Sequence, residues 1–170
     1  AFFKNGYTNL NAFDYDEKYL AHAVSKGAKR HVDGNKYDLI ILSHVIEHIN
    51  EPVDFLKKLK ADYLKPTGQI YLEVPLYDNT VHLMGDFHLA HKFYFSYYSL
   101  VLLGNMAGMV EAANDYNAIF VTPNEEKAKQ DAANYPKDKA LKLLEYKLKK
   151  ARNLELRRKP RKFLKQLITK

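Results

Sequence analysis

The stretch Tyr37-Asp-Leu-Ile-Ile-Leu-Ser-His-Val-Ile-Glu-His-Ile-Asn-Glu-Pro52 (YDLIILSHVIEHINEP) changes character halfway along. Its first part, 37–43, is a near-continuous apolar run. Such a run predicts a strand buried on both faces, as in a parallel sheet. Its last part starts a helix over 50–64. Asn50 is a good N-cap, Glu51 falls in the first turn, and Pro52 is early enough to be tolerated. Val53, Leu56, Leu59, Ala61 and Leu64 then hold one face, with Phe55 beside it. KPTG (65–68) reads as a turn, and QIYLEVP (69–75) as the next strand, closed by Pro75. Strand, helix and strand follow at short intervals, the pattern of a βαβ unit.

Between strand and helix lies His44-Val-Ile-Glu-His48, or H-x-x-E-H, a pattern shared with zinc peptidases. A zinc site of that kind needs both histidines on one helical face. Here His44 falls at a strand's carboxyl end and His48 in the loop before the helix, so the spacing has no helix to stand on. Glu111, considered as a third ligand, falls in a predicted strand far along the chain. A second histidine group, His82, His88 and His91 with Asp86, is loosely spaced. No metal site is expected from either.

The same alternation extends outward. TNLNAFD (8–14) reads as a short strand ending in an acid. DEKYLAHAVSKG (16–27) is a helix stopped by Gly27, and AKRHVD (28–33) is a weak strand. SYYSLVLLGNMAG (96–108) is a helix with Ser96 as N-cap and Gly108 at its end. MVEAANDYNAIFVTP (109–123) reads as two strands around an NDYN turn. From Asn124 to Lys170 the pattern is helical, broken at Pro136 and Pro160. The fold class is therefore α/β, with a parallel sheet flanked by helices over 1–123 and a helical extension over 124–170.

Composition fits a globular chain: 170 residues, 46% hydrophobic and 13% aromatic. There is no cysteine, which excludes disulfides and thiolate metal sites. The sequence shows no membrane-length apolar run and no signal peptide, so a cytoplasmic location is expected. The net charge of +7 is uneven. Residues 136–170 hold 14 basic and 3 acidic side chains, or +11, leaving −4 for the rest. Such a tail suits an acidic partner or peripheral contact with an anionic membrane, or it is a solvated helix.

In open α/β sheets, ligands bind at the carboxyl ends of the strands. Asp14 and His44 both occupy such positions, and a carboxylate there can accept hydrogen bonds from two ribose hydroxyls. Residues 37–75 resemble the central segment of class I S-adenosylmethionine-dependent methyltransferases. In that family a strand is followed by H-x-x-E-H, a helix and LKPGG; this chain has LKPTG, with Thr67 in place of a glycine. GYTNLNAFDYDEKYLAHAVSKG (6–27) and HKFYFSYYSLVLLGNMAGM (91–109) resemble the flanking segments, the latter in a variant found among enzymes acting on sugars, natural products and polysaccharides. The likeness spans roughly 1–122.

The resemblance implies a Rossmann-like fold and S-adenosylmethionine as cofactor. It implies cofactor contacts at Asp14, Tyr15, Asp33, His44, Val45 and Ile46. The implied reaction is methyl transfer, as O-methylation, to a small-molecule or sugar acceptor. The base candidates are His91, His48 and His88, in that order. Tyr94, Tyr97 and Tyr98 are core or lid aromatics, one of which could stack on a sugar. The family's first strand and G-x-G-x-G loop would precede residue 1, so the chain is expected to be a fragment of a longer enzyme. Nucleic acid is not expected as substrate: EVPLYD (73–78) is the nearest string to an N/D-P-P-Y/F motif and lacks its tandem proline. The competing reading is a non-catalytic methyltransferase-like module that recruits an acidic partner through its basic tail.

Overall fold

A computed structural model describes residues 6–76, 90–115 and 118–135, together with Tyr146 and Lys149. The chain divides into two compact units, Ala1–Lys36 and Tyr37–Lys170. In the first, β1 (Asn11–Ala12) pairs in parallel with β2 (Lys29–Arg30). Helix α1 (Glu17–Ser25) connects them. Asp16 caps α1 by accepting from the Lys18 amide at 2.8 Å, and Gly27 adopts φ +102° just past its end. That left-handed backbone is one glycine adopts without steric cost. Leu20 is the buried anchor of α1, and Arg30 on β2 forms an ion pair with Glu17.

The second unit is built on a four-stranded sheet in the order β3-β4-β6-β5. Its strands are β3 (Tyr37–Ser43), β4 (Leu64–Glu73), β5 (Met109–Asp115) and β6 (Ala118–Pro123). Parallel pairing holds for β3–β4, while β4–β6 and the β5–β6 hairpin run antiparallel. Side chains alternate across the sheet. Ile40, Leu42, Ile70, Leu72, Ile119 and Val121 point to one face. There they form a continuous core with Leu56 of α2 (Pro52–Tyr63) and Leu100 of α3 (Tyr97–Met106). Each such fully buried side chain contributes about 1.5–3 kcal/mol. α4 (Glu125–Ala133), capped by Asn124, packs on α3 through the buried Ala128.

Three local expectations are corrected. β3 is not buried on both faces: Leu39 and Ile41 are 43% and 41% exposed, because β3 is an edge strand among the described residues. Asn50 is not the cap of α2. The helix begins at Pro52 behind Glu51, without a side-chain cap, because proline's fixed φ starts the helix itself. KPTG is not a separate turn but part of β4. Leu64 pairs with Tyr37 and Gln69 with Leu39, so residues 65–68 bulge opposite Asp38 alone. Lys65 ties the bulge down with hydrogen bonds of 2.8 and 2.9 Å to Asp38.

The capping of α3 follows its sequence. Ser96 and Ser99 form a reciprocal capping box, and Gly108 takes φ +74° at the far end. Lys60 of α2 reaches that end, donating to the Ala107 carbonyl at 2.7 Å and pairing with Glu125 of α4. Among the described residues, no helix is long and apolar enough to cross a membrane. The helical expectation for 136–170 lies outside the described residues, apart from Tyr146 and Lys149, both in helical backbone.

Candidate functional site

In the second unit the carboxyl ends of β3 and β4 lie side by side, with Ser43 opposite Glu73. Ser43 donates its hydroxyl to Glu73 at 2.6 Å, and the His44 amide donates to the Glu73 carbonyl at 3.0 Å. Glu73, a lone acid in an apolar strand, is thereby satisfied locally. The chain then turns sharply. His44 has φ +54°, a left-handed conformation uncommon for a residue with a side chain. A single 3-10 turn, Ile46–His48, follows, so H-x-x-E-H forms a strand-to-helix loop rather than a helix.

That turn separates its side chains sharply. Ile46 is fully buried in the core, with Val45 packed against it. Glu47 is also buried, 1% exposed, and neither carboxylate oxygen has a hydrogen-bond partner among the described residues. The exposed His44 approaches it, with Nδ1 3.4 Å from Oε1. His48 points outward from the turn, and its Nδ1 lies 2.9 Å from the Ala90 carbonyl. A proton on Nδ1 makes that hydrogen bond and leaves Nε2 with a lone pair.

The segment that brings Ala90 also brings His91. The Glu47 carbonyl accepts from the amides of Lys92 and Phe93 at 2.9 and 3.2 Å. His91 then meets His48 edge-on, with centroids 4.9 Å apart, and Tyr94 lies 5.7 Å from His91. Two of the three base candidates are thus brought together. The third, His88, lies outside the described residues, as do His82 and Asp86.

In the first unit, Asp14, Tyr15 and Asp33 gather at the carboxyl ends of the parallel pair β1–β2. Asp14 Oδ1 accepts from the Asp16 amide at 2.8 Å, leaving Oδ2 without a hydrogen bond from a described residue. Phe13 packs edge-on against Tyr15 and His31, and His31 Nε2 lies 3.4 Å from Asp33. Phe13 and Tyr15 are 64% and 93% exposed. This edge offers an open carboxylate beside aromatic rings.

Two features were not anticipated. The burial of Glu47 is one; its neighbours Ile46 and Ile49 were the available signal, since an acid inside an apolar turn is drawn inward with it. The other is a hydrogen-bonded pair at the hairpin, where the Tyr97 hydroxyl meets both oxygens of Glu111 at 2.7 and 2.8 Å. Burial, then this hydrogen bond, push the Tyr97 phenol up to about 12.

Residues 4–114 match the family described as a methyltransferase domain. Comparison with curated proteins gives no match.

Proposed function

Because the chain belongs to the methyltransferase-domain family, we propose that it transfers a methyl group from S-adenosylmethionine to a hydroxyl of a small-molecule or sugar acceptor. The observation that carries the acceptor side is the pairing of His48 and His91 at the carboxyl ends of β3 and β4, where ligands sit in open α/β sheets.

The cofactor fits the residues present. Asp14 Oδ2, which has no hydrogen bond from a described residue, suits a ribose hydroxyl, and the exposed rings of Phe13 and Tyr15 suit a planar base. When bound, S-adenosylmethionine supplies a methyl group on a sulfonium, already a good leaving group. The protein's part is then alignment, exclusion of water and removal of the acceptor's proton. His48 is held by the Ala90 carbonyl so that Nε2 can accept that proton, and His91 stands beside it. The Tyr94 ring beside His91 suits stacking on the apolar face of a sugar.

The test is calorimetric titration with S-adenosylhomocysteine, paired with transfer of a labelled methyl group to a panel of hydroxylated acceptors. Asp14→Ala should weaken cofactor binding by about 10–100-fold, the range of a lost charge-assisted hydrogen bond. His91→Ala should lower turnover more than affinity. An Asp14→Ala variant with unchanged affinity, or a His91→Ala variant with unchanged turnover, overturns the corresponding part of the reading.

A further inference from the structure

We propose that Glu47, His48 and His91 bind one divalent first-row transition-metal ion. Each offers a ligand atom, and these atoms lie within 4.8 Å of one another. Three ligands held about 2.1 Å from one ion stand about 3.4–3.6 Å from one another. A contraction of up to about 1.4 Å therefore gathers all three.

A second observation, independent of spacing, points the same way. The Glu47 carboxyl is 1% exposed, with no hydrogen-bond donor to either oxygen among the described residues. A carboxylate removed from water and left without donors is costly, and a cation beside it removes that cost. The histidine half is also prepared. The Ala90 carbonyl at Nδ1 of His48 fixes the tautomer and leaves Nε2 as the donor atom. Ligating histidines are held in this way by a carbonyl or carboxylate on the other nitrogen.

The donor set narrows the ion. Two imidazoles and one carboxylate, in a chain without cysteine, suit manganese, iron, cobalt or zinc better than calcium or magnesium, which prefer oxygen alone. The ligand pair is not the His44/His48 pair that H-x-x-E-H suggests. It is Glu47 and His48 from the loop with His91 from another segment, an arrangement that owes nothing to helical spacing. Three protein ligands leave coordination positions open. With the ion bound, His48 and His91 serve as ligands and not as bases; the idea that an acceptor hydroxyl occupies an open position rests on the methyl-transfer reading, and the binding of the ion does not.

The test uses the full chain freed of metal by a chelator, without methyl donor. Cobalt(II) is followed by visible absorption, and zinc and manganese by calorimetry. One ion per chain should bind. Glu47→Gln, His48→Ala and His91→Ala should each weaken binding by about 30-fold or more, since even the groups that orient metal ligands are worth about 10–100-fold. A His82→Ala/His88→Ala double variant should keep it. Far-ultraviolet circular dichroism checks that each variant folds, and Glu47→Gln, nearly the same size, stands in if a histidine variant does not. Absence of saturable binding, binding untouched by the three variants, or binding lost in the double variant instead overturns the site. Ion uptake by a chain that binds no cofactor analogue supports the metal site while sinking methyl transfer. The reverse pattern sinks the site and leaves the histidines as bases.

Discussion

Replacing Glu47 with methionine should make the metal-free protein more stable. The two carboxylate oxygens are buried and unpartnered among the described residues, and a buried polar group in that condition costs about 1–3 kcal/mol. Methionine has similar length, no branching at Cβ and no group that needs a donor. The anchoring of the neighbouring segment survives, because Lys92 and Phe93 donate to the backbone carbonyl of residue 47 rather than to its side chain. The one polar approach lost is His44 Nδ1 at 3.4 Å, from an exposed ring, worth less than about 1 kcal/mol. The net expectation is a gain of about 2 kcal/mol, or about 4–8 °C in Tm for a chain of this size. Thermal unfolding in chelator, followed by circular dichroism, measures it. Saturating metal should close most of that gap, since an ion at a hundred times its Kd adds about 2.7 kcal/mol to the native chain and less than about 1 kcal/mol to a variant that binds it about 30-fold more weakly. A Glu47→Met protein less stable than the native chain in chelator would refute the reasoning, by showing that the carboxyl has donors that hold it.

Three further outcomes follow from the frame around the site. Lys60→Met should cost about 2 kcal/mol in urea unfolding, because it leaves the Ala107 carbonyl at the end of α3 without its charged donor; Glu125→Gln, which disturbs an exposed partner of the same ammonium, should cost less than about 1 kcal/mol. His44→Val should lose about 1–3 kcal/mol, since a β-branched residue resists φ +54°, whereas His44→Asn should stay within about 0.5 kcal/mol in the same assay. Because Tyr97 ionises near 12 when folded but near its ordinary 10 when unfolded, its contribution is complete below pH 10 and lost as pH rises toward 12; solvent screening of this part-buried group limits it to about 1 kcal/mol, and Tyr97→Phe should remove that part of the alkaline decline.

The elements were legible where a single local cause dominates. The apolar run of 37–43 became β3 to the residue, and Ser96 and Gly108 bracketed α3 because capping chemistry is local. The failures have non-local causes. Leu39 and Ile41 read as buried, but their exposure depends on which strand lies at the sheet edge, and pairing order is not written in the strand itself. KPTG has turn residues and does bulge, yet β4 continues through it because Leu64 finds Tyr37 on the neighbouring strand. Asp14 was singled out by its position at a strand end, and Tyr15 and Asp33 by the family resemblance; all three follow the parallel pair β1–β2. The meeting of His48 with His91 depends on backbone hydrogen bonds between segments more than forty residues apart, such as the 2.9 Å bond from Lys92 to Glu47. No spacing rule encodes that distance. Spacing alone would pair His44 with His48, a reading that the preceding strand already removes, and the structure sets His48 beside His91, a histidine from a different motif.

The grip of the Glu47 carbonyl on Lys92 and Phe93 has an evolutionary consequence. The main chain of residue 47 positions the segment that carries His91, while its side chain is buried beside the two histidines and takes no part in those backbone bonds. Architecture and chemistry at this position are therefore inherited independently. A lineage can exchange the carboxylate for an amide or a thioether without dismantling the loop that presents both histidines. It can also regain the acid by a single substitution. The turn is a chassis on which the side chain at residue 47 can change while the backbone keeps the segment that carries His91 in place.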